Sequence, residues 1–452
     1  MRIFRLILLL LFLIRVSSLS GLTRKEVSLS IYNQNFALVK DVRVIPLKKG
    51  INRVEFSEVP SLLEPESVLF QTPEVKFPVY LLEQNYQFDL VSPDKLLEKY
   101  LGKKIKVIVK KEEVIEGKLL NFERVYLVLE KEKGRLVMVR REDLRSIEFP
   151  SLPEGLMIQP TLVWLIDSQN KGKVTAVVSY ITKGINWKAD YVCVLDKDEK
   201  FIDWEGWVTI ENRSGANYFN AKVNLIAGEV HRVEKRPPIY REMLAKVAEA
   251  APPPQFEEKP FFEYHLYHLK RPTDIRDREI KQISLMEAHA VPFKKYYEYD
   301  AARDPKKVAV YVNFKNSSSY NMGMPLPKGK VRIYKEREGG MEFIGEDKID
   351  HTPKDEEIKL FVGKAFDLVG ERKVVERKKV GARAWEIKVE ISLRNHKKEP
   401  VEIVVKERFW GEWEILTSTH SWEKVDAKTA SFKVRVKPDK EEKILYQARY
   451  RW

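Results

Sequence analysis

The chain has 452 residues, 44% of them hydrophobic, with 81 Lys and Arg against 67 Asp and Glu and a formal net charge of +14. Apolar side chains sufficient for packed cores, with charges of both signs interspersed, exclude a disordered polyelectrolyte and a collagen-like chain, and the length suits about three domains. Cys193 is the only cysteine, which excludes an intrachain disulfide and any cysteine-based zinc or redox motif.

Residues 1–21 open with Arg2 and Arg5, run through the apolar stretch 6–14 and reach Ser17, Ser18, Ser20 and Gly21. That is the layout of a secretory signal ending near residue 20, and the apolar stretch is short for a bilayer span. The expectation is export, to the periplasm or beyond, with no cysteine placed to take a lipid anchor. Removing Arg2, Arg5 and Arg15 lowers the charge from +14 to +11. The basic excess is spread among acids with no basic block, a pattern that fits the ion-pair-rich surface of a thermophile.

Beyond residue 26, alternation of apolar and polar residues predicts strands at 27–32, 36–44 and 52–56. Ser92 and Pro93 then predict the N-cap and first turn of a short helix ending at Tyr100. Five short strands follow, at 104–110, 114–122, 126–130, 136–140 and 146–149, with turns at Lys111-Glu112 and Lys133-Gly134. A helix and five strands within residues 92–149 predict a small SH3-like or Sm-like barrel. It would be inserted between the two parts, 26–91 and 150–235, of a first antiparallel β-sandwich of Ig-like type. The second part carries strands at 174–180, 187–195, 206–211 and 221–227, in which Trp187, Ala189, Tyr191 and Cys193 share one face. That face places Cys193 in a core, with no local cation to make it reactive.

Residues 236–271 break the pattern. Arg236-Pro237-Pro238 and Pro252-Pro253-Pro254 bracket Met243, Leu244 and Val247 at helical spacing, which predicts a Pro-rich linker with a short helix. Alternation returns at 308–314, 385–393, 432–436 and 444–452, with Gly339-Gly340 as a hairpin turn. Residues 272–452 are expected to form a second Ig-like sandwich, so the fold class is mainly β.

Candidate chemistry is sparse. His265 and His268 stand three apart, which on a strand sends them to opposite faces, so aromatic packing is expected over a shared metal. Asp350, His351 and Asp355 form the densest polar cluster around a histidine; a carboxylate beside an imidazole can orient a general base, whereas Asx-type hydrogen bonds would make the same segment a turn. Ser92-x-x-Lys95 and Ser168-x-x-Lys171 match the spacing of penicillin-binding enzymes without their Lys-Thr-Gly partner. Asp196-Lys197-Asp198 begins like a calcium loop, but Lys200 and Phe201 occupy positions that need a ligand and a glycine. No phosphate-cradling loop or zinc-protease motif occurs, and no cofactor is implied. Residues 101–149 hold 13 Lys and Arg against 9 Asp and Glu, a modest excess that suits RNA on an Sm-like surface, although the export signal argues against nucleic acid.

Long motifs carry a resemblance. Residues 178–191 (VSYITKGINWKADY) and 206–215 (GWVTIENRSG), followed by 321–329 (NMGMPLPKG), 345–355 (GEDKIDHTPKD) and Arg394-Asn395-His396, resemble the bacterial domain-of-unknown-function family four-one-three-nine. The resemblance spans about residues 26–452 and extends distantly to mucoidy inhibitor A-like proteins. It implies an exported, β-rich bacterial protein and carries over no catalytic residues. The leading expectation is therefore a non-enzymatic envelope protein that binds a protein or a glycan. A periplasmic hydrolase-type enzyme using Asp350, His351 and Asp355 on strand-end loops is the second reading, and a nucleic-acid-binding barrel is the third.

Overall fold

A computed structural model describes residues 22–110, 112–153, 155–228, 230, 256–261 and 264–451. The expected signal and most of the expected linker, including its helix, lie outside these residues. The protein is mainly β. Its first strands are β1 (Thr23–Tyr32), β2 (Phe36–Leu47), β3 (Gly50–Ser57), β4 (Leu69–Gln71) and β5 (Val79–Gln87). Helix α1 (Pro93–Lys99) starts where Ser92 Oγ accepts the Lys95 N–H, at 3.3 Å, the cap expected from Ser-Pro. There follow β6 (Lys104–Val109), β7 (Val114–Phe122), β8 (Tyr126–Glu130), β9 (Leu136–Arg140) and β10 (Leu144–Glu148). These five pair only with one another, in the order β10-β6-β7-β8-β9, over a small core of their own that includes Leu97 of the helix and Tyr100 just after it.

The chain continues through β11 (Thr161–Ser168), β12 (Gly172–Lys183), β13 (Ile185–Leu195), β14 (Phe201–Asn212), β15 (Tyr218–Ala227), β16 (Phe256–Phe261), β17 (Tyr264–Leu269) and β18 (Thr273–Ile275). Gly184, at φ +77°, makes the turn from β12 to β13, and a Cβ there would stand 2.7 Å from the Arg213 carbonyl oxygen. The next strands are β19 (Glu279–Pro292), β20 (Lys294–Tyr299), β21 (Lys307–Lys315), β22 (Gly329–Arg337) and β23 (Gly340–Ile349). The last are β24 (Glu357–Gly381), β25 (Ala384–Asn395), β26 (Val401–Arg408), β27 (Glu412–Ser418), β28 (Trp422–Asp426), β29 (Thr429–Val436) and β30 (Lys440–Arg451).

The described strands make five sheets. Three of them, β16-β17-β15-β1-β2-β12-β4 with β18, β3-β11-β5, and β19-β14-β13-β22-β23, line one large core running from Val27 to Leu360, to which the nine-stranded sheet adds Val312 and Phe314 of β21 and Ile358 and Leu360 of β24. The fourth is the five-stranded sheet of residues 104–148. The fifth, β27-β30-β25-β24-β21-β20-β26-β29-β28, encloses a second core that includes Tyr299, Ile403, Phe432 and Tyr446. The sheets do not divide at the boundary expected at residue 272: β19 pairs with β14 and β22 with β13, so Glu279–Pro292 and Gly329–Ile349 join the sheet of the N-terminal strands, while β20 and β21 between them lie in the nine-stranded sheet. Alternation tells each strand which face to bury but not which neighbour to choose. No helix among the described residues is long and apolar enough to cross a membrane.

Candidate functional site

The nine-stranded sheet splits at one end. β20 stops at Tyr299 because Asp300 turns the chain: its Oδ1 accepts the Ala302 N–H at 3.0 Å, and its carbonyl accepts the N–H groups of Arg303 and Asp304. β21 begins only at Lys307, opposite Val369 of β24. β24 continues past this turn to Gly381 on one side and β26 to Arg408 on the other, and between them opens a cleft of about 510 Å³. Its base is tight, since a Cβ on Gly370 would stand 2.3 Å from the ring of buried Tyr299. Burial there raises the Tyr299 hydroxyl to about 12.

A bulge aims the β24 side chains. The register against β25 shifts between Val374 and Glu376, so that Arg372, Val374 and then Arg377 face inward, opposite Ile391, Val389 and Ile387. From the far side of the cleft comes Glu407, 3% exposed, which accepts two hydrogen bonds from Arg372 Nε (3.0 and 2.9 Å) and one from the Tyr446 hydroxyl at 2.5 Å. Burial raises its carboxyl above the ordinary value, with the Arg372 guanidinium pulling the other way. Arg408 holds Asp300 at 2.7 Å, and Lys406 holds Glu298 at 3.1 Å. Arg377 makes no ion pair among the described residues; its guanidinium stacks over the Trp385 ring at 4.4 Å. Trp410 stands at the rim with 77% of its surface exposed, next to Phe409, which is buried and stacked on Trp413 at 4.4 Å. Chemically this is an amphipathic cleft: two carboxylates neutralised by arginines, one cation without a carboxylate, and an apolar wall ending in an open indole.

The cluster of Asp350, His351 and Asp355 lies elsewhere, on the exposed connection from β23 to β24. Asp350 accepts the Thr352 hydroxyl on its carbonyl, His351 Nδ1 accepts the Lys328 N–H at 3.3 Å, and Asp355 is left-handed at φ +65° with its N–H on the Asn316 carbonyl. These contacts build a turn, and none of the three side chains lines the cleft. The organiser is the fully buried Asn316, whose amide donates to the Met324 and Pro353 carbonyls and accepts the Gly323 N–H. Through it, residues 321–329 and 345–355, two of the long motifs, come together, with Leu326 and Thr352 exchanging backbone hydrogen bonds.

Other sequence candidates resolve into structure. His265 bonds Glu258 and His268 bonds Asn224, each at 2.8 Å, and no group of three metal-ligating side chains occurs among the described residues. Asp196 Oδ1 accepts the N–H groups of Lys200 and Phe201 in the hairpin from β13 to β14. Cys193 is 0% exposed and burial raises its thiol far above the usual range, as expected of a core residue. A second cleft of about 370 Å³, near Asn212 and Asp277, is built around turn-forming hydrogen bonds: Asp277 accepts the Gly215 N–H, and Asn212 donates to the Ala216 carbonyl. No protein-family model and no curated protein matches the chain.

The sequence reading missed Arg372, Arg377, Glu407 and Trp410. Alternation marks no strand at 357–381, and the one local sign of the bulge is the adjacent pair Val374-Val375.

Proposed function

We propose that this is an exported, non-enzymatic binding protein of the bacterial envelope, which takes a protein or glycan partner in the cleft between β24 and β26. The observation that carries the reading is the pairing of an exposed Trp410 with carboxylates already committed to Arg372 and Arg408. Open aromatic surface beside oriented polar groups suits recognition. The resemblance to family four-one-three-nine belongs to the same reading, as does the signal at residues 1–20. So does the finer architecture: the layered sheets of the large core and the nine-stranded sheet as two sandwiches of Ig-like type, and residues 92–149 as an inserted SH3-like or Sm-like barrel. The ion-paired surface extends the proposal to a thermophilic source, for which a melting temperature above about 65 °C is expected.

The test is a crosslinking pull-down from the native envelope with the full chain as bait. A reproducible partner whose capture is lost in Trp410→Ala supports the reading. Capture lost only on deleting residues 101–149 moves the site to the inserted unit, and no partner above background overturns the binding role.

A further inference from the structure

The gap that makes the cleft is also a length of unpaired strand edge. β24 pairs with β21 between Glu357 and Val369 and with β25 from Leu368 onward, so that only around Leu368 and Val369 is it paired on both sides; from Glu371 to Gly381 it is paired with β25 alone. On the opposite side, residues 406–408 of β26 pair with β29, while pairing with β20 ends at Val405. An edge of this kind presents a row of backbone donors and acceptors that template another strand.

Two features say what kind of strand. Along residues 373–380 the edge carries Lys373, Arg377, Lys378 and Lys379 against Glu376 alone. Between these charges, Val374, Val375 and Val380 are 50%, 59% and 40% exposed. A second copy of the same edge would bring like charges opposite each other, which is how lysines on an edge oppose self-association. In the cleft beside it, Arg377 is the cation without a carboxylate, while Arg372, Arg408 and Lys406 each hold one.

Resting on the binding function proposed above, and choosing a protein partner over a glycan, we infer that the β24 edge takes an extended acidic peptide segment of a partner, added as a strand. One of its carboxylates would meet Arg377, and an apolar side chain on the same face of the peptide would pack between Val374 and Trp410. Backbone pairing supplies affinity in such complexes, and alternate side chains supply selection.

The experiment is fluorescence anisotropy on the full chain with four probes: a ten-residue peptide alternating Glu with Val and Thr, its Lys counterpart, the acidic peptide N-methylated at alternate residues in either register, and an oligogalacturonate. The acidic peptide is expected to bind, to weaken as salt rises, and to lose at least tenfold in affinity against Arg377→Glu, a surface change that leaves the melting temperature in place. Trp410→Ala is expected to weaken it without altering the salt dependence. The Lys and N-methylated peptides are expected not to bind. Equal binding of the N-methylated peptides would overturn strand addition. Binding of the oligogalacturonate alone would overturn the peptide and leave a glycan-binding cleft. Failure of every probe, while the envelope pull-down still captures a partner through Trp410, would retire the inference and spare the proposed function.

Discussion

Each of the two large cores buries a carboxylate under arginine, and the two sites differ in what lies beside them. Asp41 sits on β2 with Val27 of β1 on one side and Val178 of β12 on the other, so its strand is paired along both edges. Arg24 and Arg43 both reach it, at 3.0 and 2.7 Å, and Arg43 lies over the Phe56 ring while donating to the Ser57 carbonyl. Glu407 sits on β26 opposite Ala430 of β29, with no strand on its other edge, and its partner Arg372 comes from β24 past the point where β21 has ended. The chemistry of the two pairs is alike. Continuity of the sheet makes the first a structural fixture, and the missing neighbour makes the second the floor of a cleft.

Four measurements bear on that contrast. The largest effect is expected for Arg43→Ala, which leaves buried Asp41 with Arg24 alone: about 3–5 kcal/mol lost in urea denaturation, whereas a loss under about 1 kcal/mol would show the cluster to be dispensable. Next is Gly370→Ala, whose added methyl meets the Tyr299 ring at the cleft base; a cost of about 1–3 kcal/mol is expected, and a neutral result would mean that the base is loose.

Glu407→Gln is expected to cost about 1 kcal/mol at neutral pH and, more tellingly, to change the pH dependence. The folded-state carboxyl is raised, so the folded protein binds a proton that the unfolded chain releases. The corresponding stability is therefore present below the ordinary glutamate value and is lost as pH rises through the folded one. Unfolding free energies measured across that range should fall with pH in the parent and be flatter in the glutamine variant; equal slopes would place the titration elsewhere. The smallest effect is expected for the double substitution Asp350→Ala, His351→Ala on an exposed turn: within about 0.5 kcal/mol, with partner capture unchanged. Loss of capture in that variant would return the site to the turn.

Much of the local structure was legible in the chain. Alternation located the strands of the inserted sheet within a few residues, Ser92-Pro93 located α1, and the shared face of Trp187, Tyr191 and Cys193 located core residues, because burial period and capping chemistry are written in neighbouring positions. The candidate site was not legible. Its members Asp300, Arg372, Arg377, Glu407 and Trp410 come from separate turns and strands, and each alone resembles an ordinary polar or surface residue.

The sequence by itself determined a mainly β protein, which face is buried on the strands that alternation marked, several of the turns and a core position for Cys193. Only the tertiary structure decided that β19 and β22 join β14 and β13, that β20 and β21 end short of β24 and β26, and that Arg372 meets Glu407 across the gap. The physical reason is that a strand's alternation fixes its face, while its neighbour and its length of pairing are set by long-range contacts that leave no mark on adjacent residues.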